Sequence, residues 1–340
     1  MIKSIAYSVA AFAGAPRMFQ RIFARDGVAV LMYHAVVRKP LPISDWCFME
    51  EKRFEEQMAY LAKYCQVIPL KEIPSSIRAK QNGRPLVALT FDDGFQNNHD
   101  VAFPILKRLR IPATVFLATD FVGSDDTVWF CRINDALCKT SLVELEWEGA
   151  TYDLSSHHHR SEANNRIQAW LKRHGHPQLL RKMRHLVQAL GSDPEMPIAG
   201  DSPYRMLGTA EIREMVDSGL IDFGAHTCSH AILSGLPDSD REREIADSID
   251  AVERLTGAPC ELFAFPNGGA GDFGAGDVKA LKQAKVAVAV STIAGPNDES
   301  APALEMRRYG IGADTSMARF QLLTHHTLWA LRKKRADLRN

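Results

Sequence analysis

Two clusters in this chain have the residue types and spacing to do hydrolytic chemistry. Asp92 and Asp93 stand side by side where the apolar run Leu86-Val87-Ala88-Leu89-Thr90-Phe91 ends, and Gly94 follows. Adjacent carboxylates repel unless a cation or a proton intervenes, although Asp and Gly also end strands as plain turn formers. His226 and His230 come directly after a second apolar run, residues 220–225. Imidazoles at that spacing can share one metal ion if the segment makes a helical turn; otherwise they are a cap and a surface residue. Together the clusters offer two imidazoles and one carboxylate, a three-ligand set that leaves metal positions open. A spare carboxylate remains to take a proton from bound water, whose pKa Zn²⁺ lowers to about 7.

Other residues carry weaker signals. His34 ends the run Val28-Ala29-Val30-Leu31-Met32-Tyr33 and is placed either to touch a substrate or to serve structure. His99 reads as a helix residue with a local partner, and His157-His158-His159 as solvated. Cys228 lies between the two candidate ligands and is expected to point away as a buried thiol. Trp129, Phe130 and Trp170 can stack on sugar rings, but their helical spacing reads as core. The six cysteines form no CxxC pair, which suits free thiols in a reducing compartment.

The chain has 340 residues, 46% of them hydrophobic, with 41 Lys+Arg against 41 Asp+Glu. Zero net charge gives no overall drive toward nucleic acid, and none is expected as a partner. No apolar run reaches the roughly 18 residues of an ordinary transmembrane helix. Residues 1–27 suit an amphipathic segment, because Arg17, Arg21 and Arg25 alternate with Met18, Phe19, Ile22 and Phe23. On that basis peripheral membrane contact and a cytoplasmic location, at the inner face of a membrane, are expected. The apolar stretch after Lys3 also loosely resembles a signal peptide, which would instead mean export.

Strands alternating with helical patterns must position these groups. Strands are expected at 28–33, 86–91, 113–118, 220–225, 262–265, 286–290 and 306–311. Between them, Phe54, Met58 and Leu61 mark a helix with Ser44-Asp45 as plausible caps, and 101–110 and 209–218 mark two more. Ile245, Ile249, Val252 and Leu255 mark another that ends at Gly257. The pattern predicts an α/β fold, an irregular (β/α) barrel of about seven parallel strands built from residues 28–122 and 205–320. Residues 123–204 break the alternation and read as an inserted, mostly helical subdomain over or beside the site. Residues 321–340 read as a basic helix or tail. Barrels of this kind carry their chemistry where strands end, and His34, Asp92, Asp93, His226 and Asn267 all occupy such ends.

Three segments carry a family resemblance: Leu89-Thr90-Phe91-Asp92-Asp93-Gly94, Gly224-Ala225-His226-Thr227-Cys228-Ser229-His230 and Phe263-Ala264-Phe265-Pro266-Asn267-Gly268. In order and context they resemble the motifs of the NodB-homology polysaccharide deacetylases, over about residues 28–311 outside the insert. The pair Tyr33-His34 is similar to one branch of that family. The resemblance implies that Asp93, His226 and His230 bind one divalent metal ion, with Zn²⁺ the first choice, and that Asp92 is the general base. It also implies an oxyanion donor in the backbone N–H of Asn267. The chain departs from the family pattern in three places. Ala264 stands where an Arg usually orients the base, so Arg308, or else Arg307, would have to supply the guanidinium. Asn267 replaces a commoner aromatic residue. The late Leu-x-x-His motif has only Leu322-Leu323-Thr324-His325 to offer, which leaves His34 the better candidate for an acid or a substrate contact. The expected function is metal-dependent removal of N-acetyl groups from an amino-sugar glycan, polysaccharide or glycolipid precursor, in envelope or exopolysaccharide biosynthesis. The alternatives are a sugar-binding protein on a decayed deacetylase scaffold and a deacetylase of a small lipid-linked sugar.

Overall fold

The computed structural model describes residues 27–77 and 84–326. The amphipathic segment expected before residue 27 and the far end of the basic tail lie outside them. Apolar runs buried on both faces favour parallel strands covered by helices. In chain order the strands are β1 (Val28–Tyr33), β2 (Ala35–Val37), β3 (Phe48–Glu50), β4 (Gln66–Val67), β5 (Leu86–Phe91) and β6 (Ala113–Leu117). There follow β7 (Glu144–Trp147), β8 (Ala150–Asp153), β9 (Ile221–Ala225), β10 (Leu262–Ala264), β11 (Val288–Val290) and β12 (Tyr309–Gly310).

The main sheet has eight strands in the order β11-β10-β9-β6-β5-β1-β12, with β4 beside β5. Every pair in it is parallel. Its two edges are joined through residues 303–311. The Ala289 N–H donates to Ala303 O, the Ser291 N–H to Met306 O, and the Ile311 N–H to Met32 O. The sheet therefore curls toward closure, and the irregular (β/α) barrel expected from the sequence is the fold observed. The switch from β11 to β1 explains why the expected strand over 306–311 is reduced to Tyr309 and Gly310. The chain changes sheet partner at Arg308, whose N–H donates to Ile293 O.

Helices cover the outer face. The Glu51–Tyr64 helix buries Phe54, Met58 and Leu61, the expected stripe, but it does not start at Ser44-Asp45. Asp45 instead accepts the Cys47 N–H in a tight turn, and Phe48 pairs with Ala35 so that β3 runs alongside β2. The insert contains the helices Trp129–Lys139, His157–Leu171 and His176–Ala189. It also holds an antiparallel hairpin, β7–β8, that the helical expectation omitted. Leu145 and Trp147 point inward from that hairpin, and Glu148 and Gly149, with φ of 51° and 73°, supply its two-residue turn. The insert's apolar core includes Ile133, Leu137 and Ile167 and continues into Ala35, Phe95 and Ala118 at the barrel's strand ends. That continuity sets the insert over the end of the barrel that carries the chemistry. Among the described residues no helix is long and apolar enough to cross a membrane.

Candidate active site

β5 ends in a turn that sends its two carboxylates into different surroundings. Asp93 and Gly94 both take left-handed backbone, with φ of 75° and 83°. A Cβ at position 94 would also come within 2.7 Å of Leu117 Cδ2, so any larger residue would be strained in its backbone and would have to displace that side chain. Asp93 faces the loop after β9. Its Oδ1 lies 3.6 Å from Nε2 of His226 and 3.3 Å from Nε2 of His230. The three side chains are buried and offer ligand atoms within 4.8 Å of one another. Among the described residues neither Asp93 oxygen has a hydrogen-bond partner, and neither does Nδ1 of His230. Buried carboxylate oxygens without donors are costly, and a cation between them and Nε2 of the two imidazoles satisfies the carboxylate. His226 makes the same point through its tautomer. Its Nδ1 lies 2.7 Å from Ala264 O, which only accepts, so Nδ1 carries the proton and the Nε2 lone pair is left for a metal. A divalent ion therefore fits the residues present.

The two imidazoles do not meet through the helical turn that their spacing suggested. Residues 226–230 form a loop in which Thr227 and His230 have φ of 61° and 58°. Glu244, on the Asp238–Thr256 helix, holds it in shape. One carboxylate oxygen accepts the N–H groups of Cys228 at 2.8 Å and Ser229 at 3.0 Å, and the other accepts the Ser229 hydroxyl at 2.6 Å. The Cys228 thiol turns from Asp93 toward the Glu244 carbonyl, half-buried rather than fully buried. Nothing in the sequence distinguished Glu244 from the other charges of its helix. Glu244→Ala should weaken divalent-ion binding by about 10–100-fold, the usual consequence of losing a group that orients a ligand, as read by competition with a chromophoric chelator.

Asp92 lies on the other side of the turn. Arg308 grips it with both ends of its guanidinium, NH1 to Oδ1 at 2.6 Å and NH2 to Oδ2 at 2.8 Å. Arg308 is itself 0% exposed and is fixed by bonds to Ser291 O at 2.9 Å and Thr90 Oγ1 at 3.2 Å. Arg307 is exposed. The guanidinium missing at Ala264 thus reaches Asp92 from the end of the chain's last crossover. Burial raises both carboxyls, but with opposite outcomes. On Asp92 the Arg308 charge and hydrogen bonds overcome burial and bring the pKa below the ordinary value. On Asp93 the neighbouring Asp92 charge adds to burial, and its pKa stands well above the ordinary value.

A cavity of about 250 Å³ opens over these groups, lined in part by His34, Trp46, Asp92, Phe130, His226 and His230. His34 sits edge-on to Trp46 at 4.9 Å, and its Nδ1 has no partner among the described residues. Burial lowers its pKa to about 4, so near neutral pH it is an uncharged hydrogen-bonding group. Asn267 has a φ of 59°, and Thr292 Oγ1 donates to its carbonyl at 2.6 Å. The Asn267 backbone N–H donates to no described residue. His325 bonds to the Tyr60 hydroxyl at 2.9 Å and does not line the cavity. Trp129 and Phe130, expected as core, are buried and also form cavity wall, whereas Trp170 packs on Trp147. His99 pairs with Asp100 and Glu214. Trp46, Gln168 and Lys172 line the cavity as well and had not stood out in the sequence.

Comparison with known proteins sets this geometry in a lineage. The family model for polysaccharide deacetylase matches residues 79–289. The chain belongs to that family. Membership makes it an enzyme of the carbohydrate N-deacetylase class. A poly-β-1,6-N-acetyl-D-glucosamine N-deacetylase from Staphylococcus epidermidis is 28% identical over 262 residues, 68% of this chain and 83% of the relative. Among solved structures, the deacetylase PplD of Streptococcus pyogenes, in complex with acetate, superposes with a TM-score of 0.58 at 16% identity, covering 88% of this chain and 98% of its own. IcaB from Ammonifex degensii gives 0.55 at 20% identity, with 90% and 97% covered. At such identities these two likenesses speak for the fold.

Proposed function

We propose that this deacetylase hydrolyses the N-acetyl amide of an amino-sugar glycan, a β-1,6-linked N-acetylglucosamine polymer or a close relative of one, with a divalent ion held by Asp93, His226 and His230. The carrying observation is the gathering of those three groups around one point, with Asp92 ionised beside them on the floor of an open cavity. Zn²⁺ is the first candidate ion, and when bound it would lower the pKa of coordinated water toward 7 and draw electron density from the acetyl carbonyl oxygen. Asp92 accepts the proton of the attacking water. The free N–H of Asn267 donates to the carbonyl oxygen as the carbon becomes tetrahedral and charge gathers there. The C–N bond then breaks, and the departing amine needs a proton. Asp92 now holds one, and because Arg308 depresses its pKa it gives that proton up readily. His34 offers a neutral hydrogen-bonding edge to the sugar, and Trp46, Trp129 and Phe130 offer flat apolar surface for a pyranose face.

The S. epidermidis relative supports the choice of substrate class. The grip of Arg308 on Asp92 removes the main ground for a decayed, binding-only scaffold, which was the missing arginine. The test is to incubate the purified protein with a fully N-acetylated β-1,6-glucosamine oligomer and with a lipid-linked sugar, measuring free acetate and new amine. Equal amounts of both products from the oligomer are expected, lost on chelation and restored by Zn²⁺. No acetate from a preparation with its ion bound would overturn the proposal.

A further inference from the structure

One charged group lines the cavity and has no part in the chemistry above. Lys172 follows the His157–Leu171 helix of the insert, and its ammonium donates to Asn267 Oδ1 at 2.9 Å. It is an exposed residue, and its charge stays at the cavity mouth. The other end of the Asn267 amide is taken too, Nδ2 donating to Asp272 Oδ2 at 2.6 Å. Asp272 lies beyond that amide and is further occupied by the Gly269 N–H at 2.7 Å. The side chain next to the oxyanion donor is therefore held between insert and barrel, and Lys172 is held with it.

Among the described residues lining the mouth nothing balances that ammonium, and the Asp272 carboxylate reaches it only across the Asn267 amide. Among the described lining residues the one carboxylate is Asp92, at the floor and already paired with Arg308. Trp46, Trp129, Phe130 and Gln168 are neutral. Every turnover, however, converts a neutral acetamide into an amine that is largely protonated near neutral pH. The product glycan thus gains a positive charge at each site of reaction.

Resting on the deacetylase reading above, we propose that Lys172 is a specificity residue: it makes the cavity select N-acetylated stretches and turn away glycan whose neighbouring sugars have already lost their acetyl groups. Acetyl removal is thereby spaced along the polymer instead of running contiguously. Like unit charges that share a wet mouth repel enough to change affinity by about threefold to tenfold.

The experiment compares the parent protein with Lys172→Gln, Lys172→Glu and Lys172→Arg, each loaded with its ion. Binding of a fully N-acetylated β-1,6-glucosamine oligomer and of its fully deacetylated counterpart is read from Trp46 and Trp129 fluorescence on rapid mixing, before turnover. The parent should prefer the acetylated oligomer. Lys172→Gln should narrow that preference by about threefold to tenfold, Lys172→Glu should reverse it, and Lys172→Arg should keep it. High salt should flatten the differences among the four proteins. A purely structural loss of the Asn267 contact would weaken both oligomers alike, so a binding ratio unmoved in both the Gln and the Glu variants overturns the inference. Acetate release with an unmoved ratio would defeat this inference and leave the deacetylase reading standing. A shifted ratio without acetate release would do the reverse.

Discussion

His230→Ala should yield a folded protein that has lost its divalent ion and releases acetate on the order of 10³-fold more slowly, equivalent to about 4 kcal/mol. The two losses should track each other, because the substitution removes a ligand and touches neither Asp92 nor Arg308. Metal content after desalting, by mass spectrometry, and acetate release from the same sample check it. Full activity or stoichiometric ion in the variant would remove His230 from the ligand set. The same site predicts a pH dependence with a definite sign. Without its ion, Asp93 keeps a proton to higher pH than an ordinary Asp, because burial and the Asp92 charge both raise its pKa. Burial lowers the pKa of His226 and also of His230, so both are already neutral near pH 7. Ion binding must therefore displace the Asp93 proton, and affinity should rise with pH through the raised Asp93 value. By the same linkage, the ion-free protein should lose stability as pH rises from the ordinary Asp range through that value, since the folded state holds the extra proton. A titration of ion affinity that is flat with pH would count against Asp93 as a ligand.

What the sequence disclosed and what it concealed divide along physical lines. β1, β5 and β6 were legible because strands buried on both faces read as unbroken apolar runs, and the Asp-Asp and His-x-x-x-His clusters stood out as the first polar residues after such runs. The shape of the His226–His230 loop was not legible, since it depends on left-handed backbone at Thr227 and His230, residue types with no strong demand for it. The β7–β8 hairpin had a signal, alternation in Glu144-Leu145-Glu146-Trp147 followed by a Glu-Gly turn, but the surrounding helical stripes outweighed it. Arg308 was readable only as a candidate, because its partner lies 216 residues away and nothing local marks it as buried. Glu244 and Lys172 looked like ordinary charges on or beside solvated helices. Helical spacing did find that Trp129 and Phe130 are buried, yet burial is common to a core residue and to a cavity wall. Only the position of the insert over the strand ends tells the two apart.

Asp92→Asn should retain its ion and still lose about 10²–10⁴-fold in rate, the range expected when a general base is removed. The amide can accept the NH1 bond of Arg308 at Oδ1, but its NH₂ then faces the other guanidinium nitrogen, donor against donor. Losing that charged hydrogen bond should cost about 1.5–3 kcal/mol of stability, so the rate must be taken on protein shown to be folded and loaded. Arg308→Met acts on the same pair from the other side and separates orientation from chemistry. It leaves the Asp92 carboxyl buried without its partner, which should destabilise the fold by about 3–5 kcal/mol and let burial raise the carboxyl's pKa. In the parent the depressed Asp92 pKa keeps the base ionised throughout the neutral range, so its loss of proton sets no limb of the pH–rate profile there. In Arg308→Met the carboxyl's pKa should rise, and the rate should climb with pH as it ionises. Asp92→Asn should show no such recovery at any pH, because it has no carboxyl to ionise. Arg308→Lys, which restores one charge and one bond but not the fork, should fall between the parent and Arg308→Met in both stability and profile. If Arg308→Met worked at the parent's rate with an unchanged profile, the pairing of Arg308 with Asp92 would be structural only, and the group that keeps the base ionised would have to be sought elsewhere in the cavity.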